Sequence, residues 1–294
     1  MIEHARFAAE SLALTIAASR PVSRPNRPMK VALRAVDGLV RAASRQSIPP
    51  TSLLYEGPPF AAHYLFNGWE YEKYLKRFGM KPDSAVLDVG CGVGRKAWAI
   101  IRSLSRDGSY HGFDIVPEAV DWCKSQWRES GDRISFKHLD VHNQHYHTKG
   151  ARTAEQIRFP YNDSSFDLVL SSSVYTHMLP SAVTTYLRES RRVARDGAHL
   201  VTSFFVLDET SSSNISRGRS VYTFAHEHGG CRVEHPDCPE HVVAYDREQL
   251  EKLLAEEGLS IVTHLPGRWS GRRDGYAYQD LYVLTPTAGA GRRP

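Results

Sequence analysis

The stretch Val86–Gly94, VLDVGCGVG, constrains this chain more than any other. An apolar run ending in an acid, followed by glycines at alternate positions, predicts a strand that feeds a tight turn with a helix behind it. Glycine in such a turn permits positive φ and lets a ligand approach the main chain closely. In open α/β sheets ligands bind in the crevice beyond the C-terminal strand ends. Asp88, Gly90, Cys91, Gly92, Gly94 and Arg95 are therefore candidate ligand-binding residues. The dinucleotide pattern G-x-G-x-x-G would need glycine at 95, where the chain has Arg95, and the G-K-[ST] of a P-loop is absent. An acid at the strand end also suits an amino group better than a phosphate, since anion sites avoid adjacent negative charge.

The rest of the chain supplies the frame. Apolar strands are expected at Ala85–Val89, Tyr110–Ile115, Ile134–Leu139, Phe166–Leu170, His199–Phe205, Ile261–His264 and Leu281–Thr285. Helices are expected at Lys96–Leu104, Glu118–Glu129 after Pro117, Ser181–Val193, and Arg247–Glu257 with Gly258 at its end. Alternating strands and helices predict a doubly wound α/β domain with a mostly parallel, seven-stranded sheet covered on both faces. That domain is placed at residues 61–286, with a tail at 287–294. Residues 1–60 form an extension broken by prolines, notably in Arg20–Pro28, with an amphipathic helix over Lys30–Ala43. Ser11–Ser19 is apolar but has acids before it and no basic cluster, so a short helix or loose leader is expected rather than a signal core. Two insertions stand out: Asp140–Phe159, rich in His, and Asp208–Ala244, rich in Ser, Gly and His, which predicts a lid over the substrate side.

The acidic–glycine order of 86–94 resembles the first motif of the class I S-adenosylmethionine-dependent methyltransferases. Further segments follow in the family's order: GFDI at 112–115, LDVHN at 139–143, FDLVLSS at 166–172 and a glycine turn at Gly197. The resemblance implies a Rossmann-like methyltransferase fold and S-adenosyl-L-methionine as cofactor. It also implies that Asp114 takes the ribose hydroxyls beside Ile115, that Asp140 meets the adenine amino group beside Val141, and that Ser171 faces the substrate. A carboxylate can accept both vicinal hydroxyls at once. NGWEY, GRKAW and THMLP are similar to bacterial members of sugar, polysaccharide and secondary-metabolite clusters. That similarity implies an O-methyltransferase acting on a small molecule or glycan, a sugar hydroxyl being the expected acceptor; the four cysteines, read as reduced thiols, lead to the expectation of a cytoplasmic protein. Methylation of nitrogen or carbon, and a non-catalytic cofactor-binding subunit, are the alternatives.

A sulfonium methyl is already activated, so the protein mainly aligns it and deprotonates the acceptor. His177, just after the fourth strand, is the candidate base, because imidazole titrates near neutral pH. The competing role is a buried histidine that shapes the loop. Tyr64 and Trp69, with His63, either cover the cofactor, with cation–π attraction to the sulfonium, or form a plain hydrophobic helix face; both readings are open. Tyr278 and Asp280 open the last strand; pocket residues or packing and capping are both open for them. No metal is expected. His226, His228, Cys231, His235, Cys238 and His241 crowd together, yet their spacing matches no common zinc pattern, and His142, His145 and His147 form a second loop cluster.

Composition narrows the classes. Lys+Arg 37 against Asp+Glu 33 is too balanced to demand nucleic acid. Four cysteines are too few for a disulfide scaffold. No apolar run approaches the roughly 20 residues of a membrane span. A homodimer is left open.

Overall fold

The computed structural model describes residues 27–44, 47–55 and 57–287. The readings made for Ser11–Ser19 and for the tail from 288 lie outside the described residues. Helix α1 (Arg27–Ala43) leads into α2 (Ala61–Arg77). Then come β1 (Ala85–Val89), α3 (Ala97–Ser103), β2 (Ser109–Asp114), α4 (Pro117–Gln126), β3 (Ile134–His138), β4 (Phe166–Ser171), α5 (Pro180–Val193) and β5 (Ala194–Phe204). After β5 follow β6 (Val206–Leu207), α6 (Glu209–Ser216), β7 (His226–His228), β8 (Cys231–Val233), β9 (Val243–Asp246), α7 (Arg247–Glu256), β10 (Leu259–Leu265) and β11 (Asp280–Pro286).

The main sheet has seven strands in the order β10-β11-β5-β4-β1-β2-β3. The pairs among β1 to β5 are parallel, and β11 runs antiparallel to both its neighbours. The doubly wound, mostly parallel, Rossmann-like architecture is thus present. Its chain order reverses between β1 and β4, which makes the gap beyond those two strand ends the natural ligand crevice.

Strand β1 shows why both faces must be covered. Leu87 and Val89 enter one core with Leu187 of α5 and Leu250 of α7, while Val86 enters the other with Leu75 of α2 and Ile100 of α3. All six are buried. Each such side chain is worth about 1.5–3 kcal/mol of burial.

Helix α2 has no side-chain cap of its own. Asp37 of α1 supplies one, its Oδ1 accepting from the Ala61 amide at 2.5 Å, while Arg41 donates to the Pro49 carbonyl at 2.7 Å. The helix expected from Lys30 starts at Arg27, inside the proline-rich stretch. Pro28 is tolerated because the first helical turn needs no amide donor there. Strand β5 begins at Ala194 rather than His199, because the chain bulges through Gly197 (φ +76) and pairs again at Leu168–His199.

The second insertion differs most from a surface loop. Its strands form a four-stranded sheet, β6-β9-β8-β7. Cys231, Val233, Val243 and Tyr245 belong to the main core, and the Tyr245 hydroxyl donates to the Met178 carbonyl at 2.6 Å. Phe205, Phe224 and Trp269 make a satellite core beneath it. No helix among the described residues is long and apolar enough to cross a membrane.

Candidate active site

The glycine loop leaves β1 with Gly90, Gly92 and Gly94 all at positive φ. Its amides are used inside the protein. Gly90 and Cys91 donate to the Phe113 carbonyl at 2.9 and 3.0 Å, Gly94 donates to the Cys91 carbonyl at 3.0 Å, and Gly92 donates to Asp114 Oδ2 at 2.7 Å. A phosphate cradle needs such amides turned outward, so the loop is built for a ligand that is not held by its phosphates.

Asp114 ends β2 and is 7% exposed. Its Oδ1 accepts from the Val116 amide at 2.9 Å. An ionised carboxylate has about four acceptor positions, a chemistry that suits a vicinal diol. Ile115 follows, its carbonyl accepting from His138 Nε2 at 3.1 Å. Asp88, by contrast, is fully buried and turns under the sheet, where the Tyr110 hydroxyl donates to its Oδ2 at 2.6 Å. Tyr110 gave no sign of this role in the sequence, because a strand tyrosine reads as core.

The helix face carrying Tyr64 and Trp69 grips the loop from outside. Tyr64 is fully buried, and its hydroxyl donates to the Gly94 carbonyl at 3.1 Å. Trp69 stands edge-on to Trp98 at 5.4 Å. His63 Nδ1 lies 2.6 Å from Arg95 Nη1, and burial together with the guanidinium lowers the His63 pKa to about 4. The approach is close: a Cβ on Gly68 would sit 2.5 Å from the Arg95 carbonyl oxygen and 2.4 Å from Trp98 Nε1. Gly→Ala in a helix usually stabilises by about 1 kcal/mol. Here Gly68→Ala is expected to lower the melting temperature, because the carbonyl cannot yield, and the sign of that change in a thermal melt is the check.

Beyond β4, Ser171 is fully buried and Tyr175 approaches its hydroxyl. Val174 packs on the loop so tightly that a Cβ at Gly90 would meet its Cγ2 at 2.5 Å. Next comes a 3-10 turn, Tyr175–His177. Both His-rich insertions meet there. The first folds into a hairpin with bridges Val141–Arg152 and Asn143–His147. In it Asn143 Nδ2 donates to the His177 carbonyl at 3.1 Å, and Asn143 Oδ1 accepts from the amides of His145 and Tyr146. The Tyr146 hydroxyl is 3.3 Å from His177 Nε2. From the second insertion, His241 packs 4.3 Å from His145 and His235 stacks 4.8 Å from His241.

Burial pushes the His177 pKa down to about 4, with His145 adding to it and the main chain at Glu240 and His241 opposing. His177 and His63 are therefore neutral in the folded chain at pH 7. A free histidine takes its proton near pH 6.5. As pH falls from there toward 4, the unfolded chain binds protons that the folded chain refuses, so stability present above pH 6.5 is lost. The expected loss at pH 5 is on the order of 2 kcal/mol per histidine, read as a drop in the urea midpoint that His63→Gln reduces.

The other candidates scatter. Asp140 is exposed, and bonds from His147 Nε2 (3.0 Å) and the Ala151 amide (3.3 Å) hold its carboxyl below the usual range. Val141 beside it is buried. Asp280 is a structural knot, accepting from the amides of Gly267 and Val206 and from Trp269 Nε1. Tyr278 is 48% exposed and is not core. The neighbour between them, Gln279, was not a candidate. Its side chain links Ser203 Oγ (2.6 Å) of β5 to Ser173 Oγ (3.0 Å) after β4, a polar floor under the strand ends.

Comparison with known proteins agrees with this arrangement. Residues 86–197 match the family described as "Methyltransferase domain". Strand order, glycine loop and this match over 86–197 agree with the class I, S-adenosylmethionine-dependent methyltransferases that the sequence resembles. The chain is 28% identical over 141 residues to Methyltransferase GfsG of Streptomyces halstedii, covering 47% of this chain and 44% of that protein. It is 22% identical over 220 residues to the tRNA N(3)-cytidine methyltransferase METTL2 of Gallus gallus, covering 74% and 54%. It thus spans about half the length of these curated relatives. A crystal structure of a SAM-dependent methyltransferase from Aquifex aeolicus superposes with TM-score 0.49 at 18% identity, covering 81% of this chain and 98% of that one.

Proposed function

We propose that this chain transfers a methyl group from S-adenosyl-L-methionine to a hydroxyl oxygen of a small polar acceptor, a sugar hydroxyl being the first candidate. The carrying observation is the Tyr146–His177 pair, roofed by His145 and seated one residue-turn from Val174 and the glycine loop. The donor set fits the cofactor: Asp114 would hold the ribose hydroxyls, the loop main chain from Gly90 to Gly94 would line its path, and Asp140 would reach the adenine amino group. S-adenosylmethionine, when bound, supplies an activated methyl on a sulfonium whose positive charge disappears on transfer. A neutral His177 suits that chemistry. Its Nε2 accepts the Tyr146 proton while the Tyr146 oxygen takes the acceptor's, so the proton's arrival keeps the charge of the site constant. Asn143 holds the turn and the hairpin in that alignment.

The reading leads to a pH test. With a base near pH 4, kcat/KM for a hydroxyl acceptor is expected to stay flat from pH 6 to 8. For an amine acceptor it would climb toward the amine's own pKa, since only the neutral amine reacts. His177→Ala and Tyr146→Phe are each expected to lower kcat by about 100-fold while cofactor affinity, read by calorimetry, is kept. Full turnover in both variants would remove the proton relay; no S-adenosylhomocysteine release with any acceptor would remove the activity itself.

A further inference from the structure

We propose that His138, Asp140 and His147 form a binding site for one divalent first-row metal ion, with zinc as the reference occupant. Each side chain offers one ligand atom, and the three atoms lie within 4.8 Å of one another. Among the described residues no other group of three or more His, Cys, Asp or Glu side chains meets that condition. The Cys/His-crowded segment 226–241 does not, although its composition looked more like a metal site.

The placement is fixed by the backbone rather than by loose surface rotamers. His138 is the last residue of β3. The Asp140 and His147 side chains meet at 3.0 Å, their backbones held by the reciprocal Asn143–His147 amide bonds at 3.1 Å and by the Arg152 amide on the Asp140 carbonyl at 3.2 Å. The His138 ring is also oriented. Its Nε2 faces the Ile115 carbonyl at 3.1 Å, and a carbonyl can only accept, so the proton sits on Nε2 and the lone pair on Nδ1. A metal-binding imidazole characteristically anchors its second nitrogen on a carbonyl in this way. The side chain of His147 is 17% exposed and that of Asp140 51%, so an ion reaches the site from solvent and completes its shell with water.

Two imidazoles and one carboxylate favour zinc, cobalt, iron or nickel over magnesium or calcium, which prefer all-oxygen shells. Three protein ligands with open positions also resemble exchangeable zinc sites more than closed structural ones. The site lies at the far end of β3, separated from β1 by β2. It uses Asp140 Oδ1, so a role for the other oxygen toward an adenine is compatible with it. The proposal does not depend on methyl transfer.

The untagged full chain, stripped with chelator, is titrated with Zn²⁺ by calorimetry and with Co²⁺ by visible absorption. One equivalent is expected, with cobalt bands of a four- or five-coordinate centre. His147→Gln and Asp140→Asn are each expected to weaken binding by about 100-fold or more, and His138→Gln likewise. His147 is on a surface hairpin, so its variant decides the matter if His138→Gln does not fold. His235→Gln with His241→Gln is expected to leave the isotherm unchanged. No stoichiometric uptake overturns the proposal. So does uptake that survives His147→Gln but is lost with His235 and His241.

Discussion

Asp114→Ala is expected to lose binding of both S-adenosylmethionine and S-adenosylhomocysteine by about 100- to 1,000-fold in calorimetry. Hydrogen bonds to a charged partner contribute about 1.5–3 kcal/mol each, and a diol would take two of them. The variant also leaves the Gly92 and Val116 amides without their acceptor, so the loop loosens as well. Asp114→Asn separates the two effects. Its remaining carbonyl oxygen still accepts from a loop amide, whereas the charge that strengthens the bonds to the hydroxyls is gone. Recovered stability with persistently weak binding is the expected pattern. A ligand isotherm unchanged in Asp114→Ala would mean that the acid at the end of β2 only braces the loop.

Asp280→Ala is expected to have the largest effect on stability. The carboxylate is 4% exposed and accepts from the amides of Gly267 (2.9 Å) and Val206 (3.1 Å) and from Trp269 Nε1 (2.6 Å). Removing it strands three buried donors from two separate segments. A stranded buried donor costs about 1–3 kcal/mol, and breaking a buried charged network typically costs about 3–5 kcal/mol. Trp269 belongs to the satellite core under the second insertion, so that sheet should loosen first. Tryptophan fluorescence that moves to the red at denaturant concentrations below the main transition would report it. Coincident transitions would mean that the insertion and the main sheet unfold as one body.

The sequence disclosed the frame because the frame is local. Strands such as Ala85–Val89 and Phe166–Ser171 are short apolar runs bounded by polar turns, and glycines mark the sharp bend after β1. The acids at 88, 114 and 140 were legible as strand-end residues. Their surroundings were not, because a partner such as Tyr110 is set by strand register and not by spacing. Two features needed three dimensions. Segment 208–244 reads as a polar loop, since its apolar residues, among them Phe224, Cys231, Val233 and Val243, are scattered between turns. They become core only when the folded chain gathers them into the main and satellite clusters. The histidines at 145, 177, 235 and 241 lie in three different segments, and nothing in their spacing brings them to one wall. Tyr146 was missed for the same reason.

The order of the sheet has a consequence for synthesis. Strand β5 lies between β4 and β11, and β11 is the last strand among the described residues. Until Asp280–Pro286 leaves the ribosome, the apolar edge of β5 is open, and so is the part of the core that waits for Tyr282. An open strand edge is a template for association with other chains, and pairings distant in sequence form slowly. Nascent chains stalled before residue 280 are therefore expected to be the species most exposed to association, with the edge of β5 unpaired.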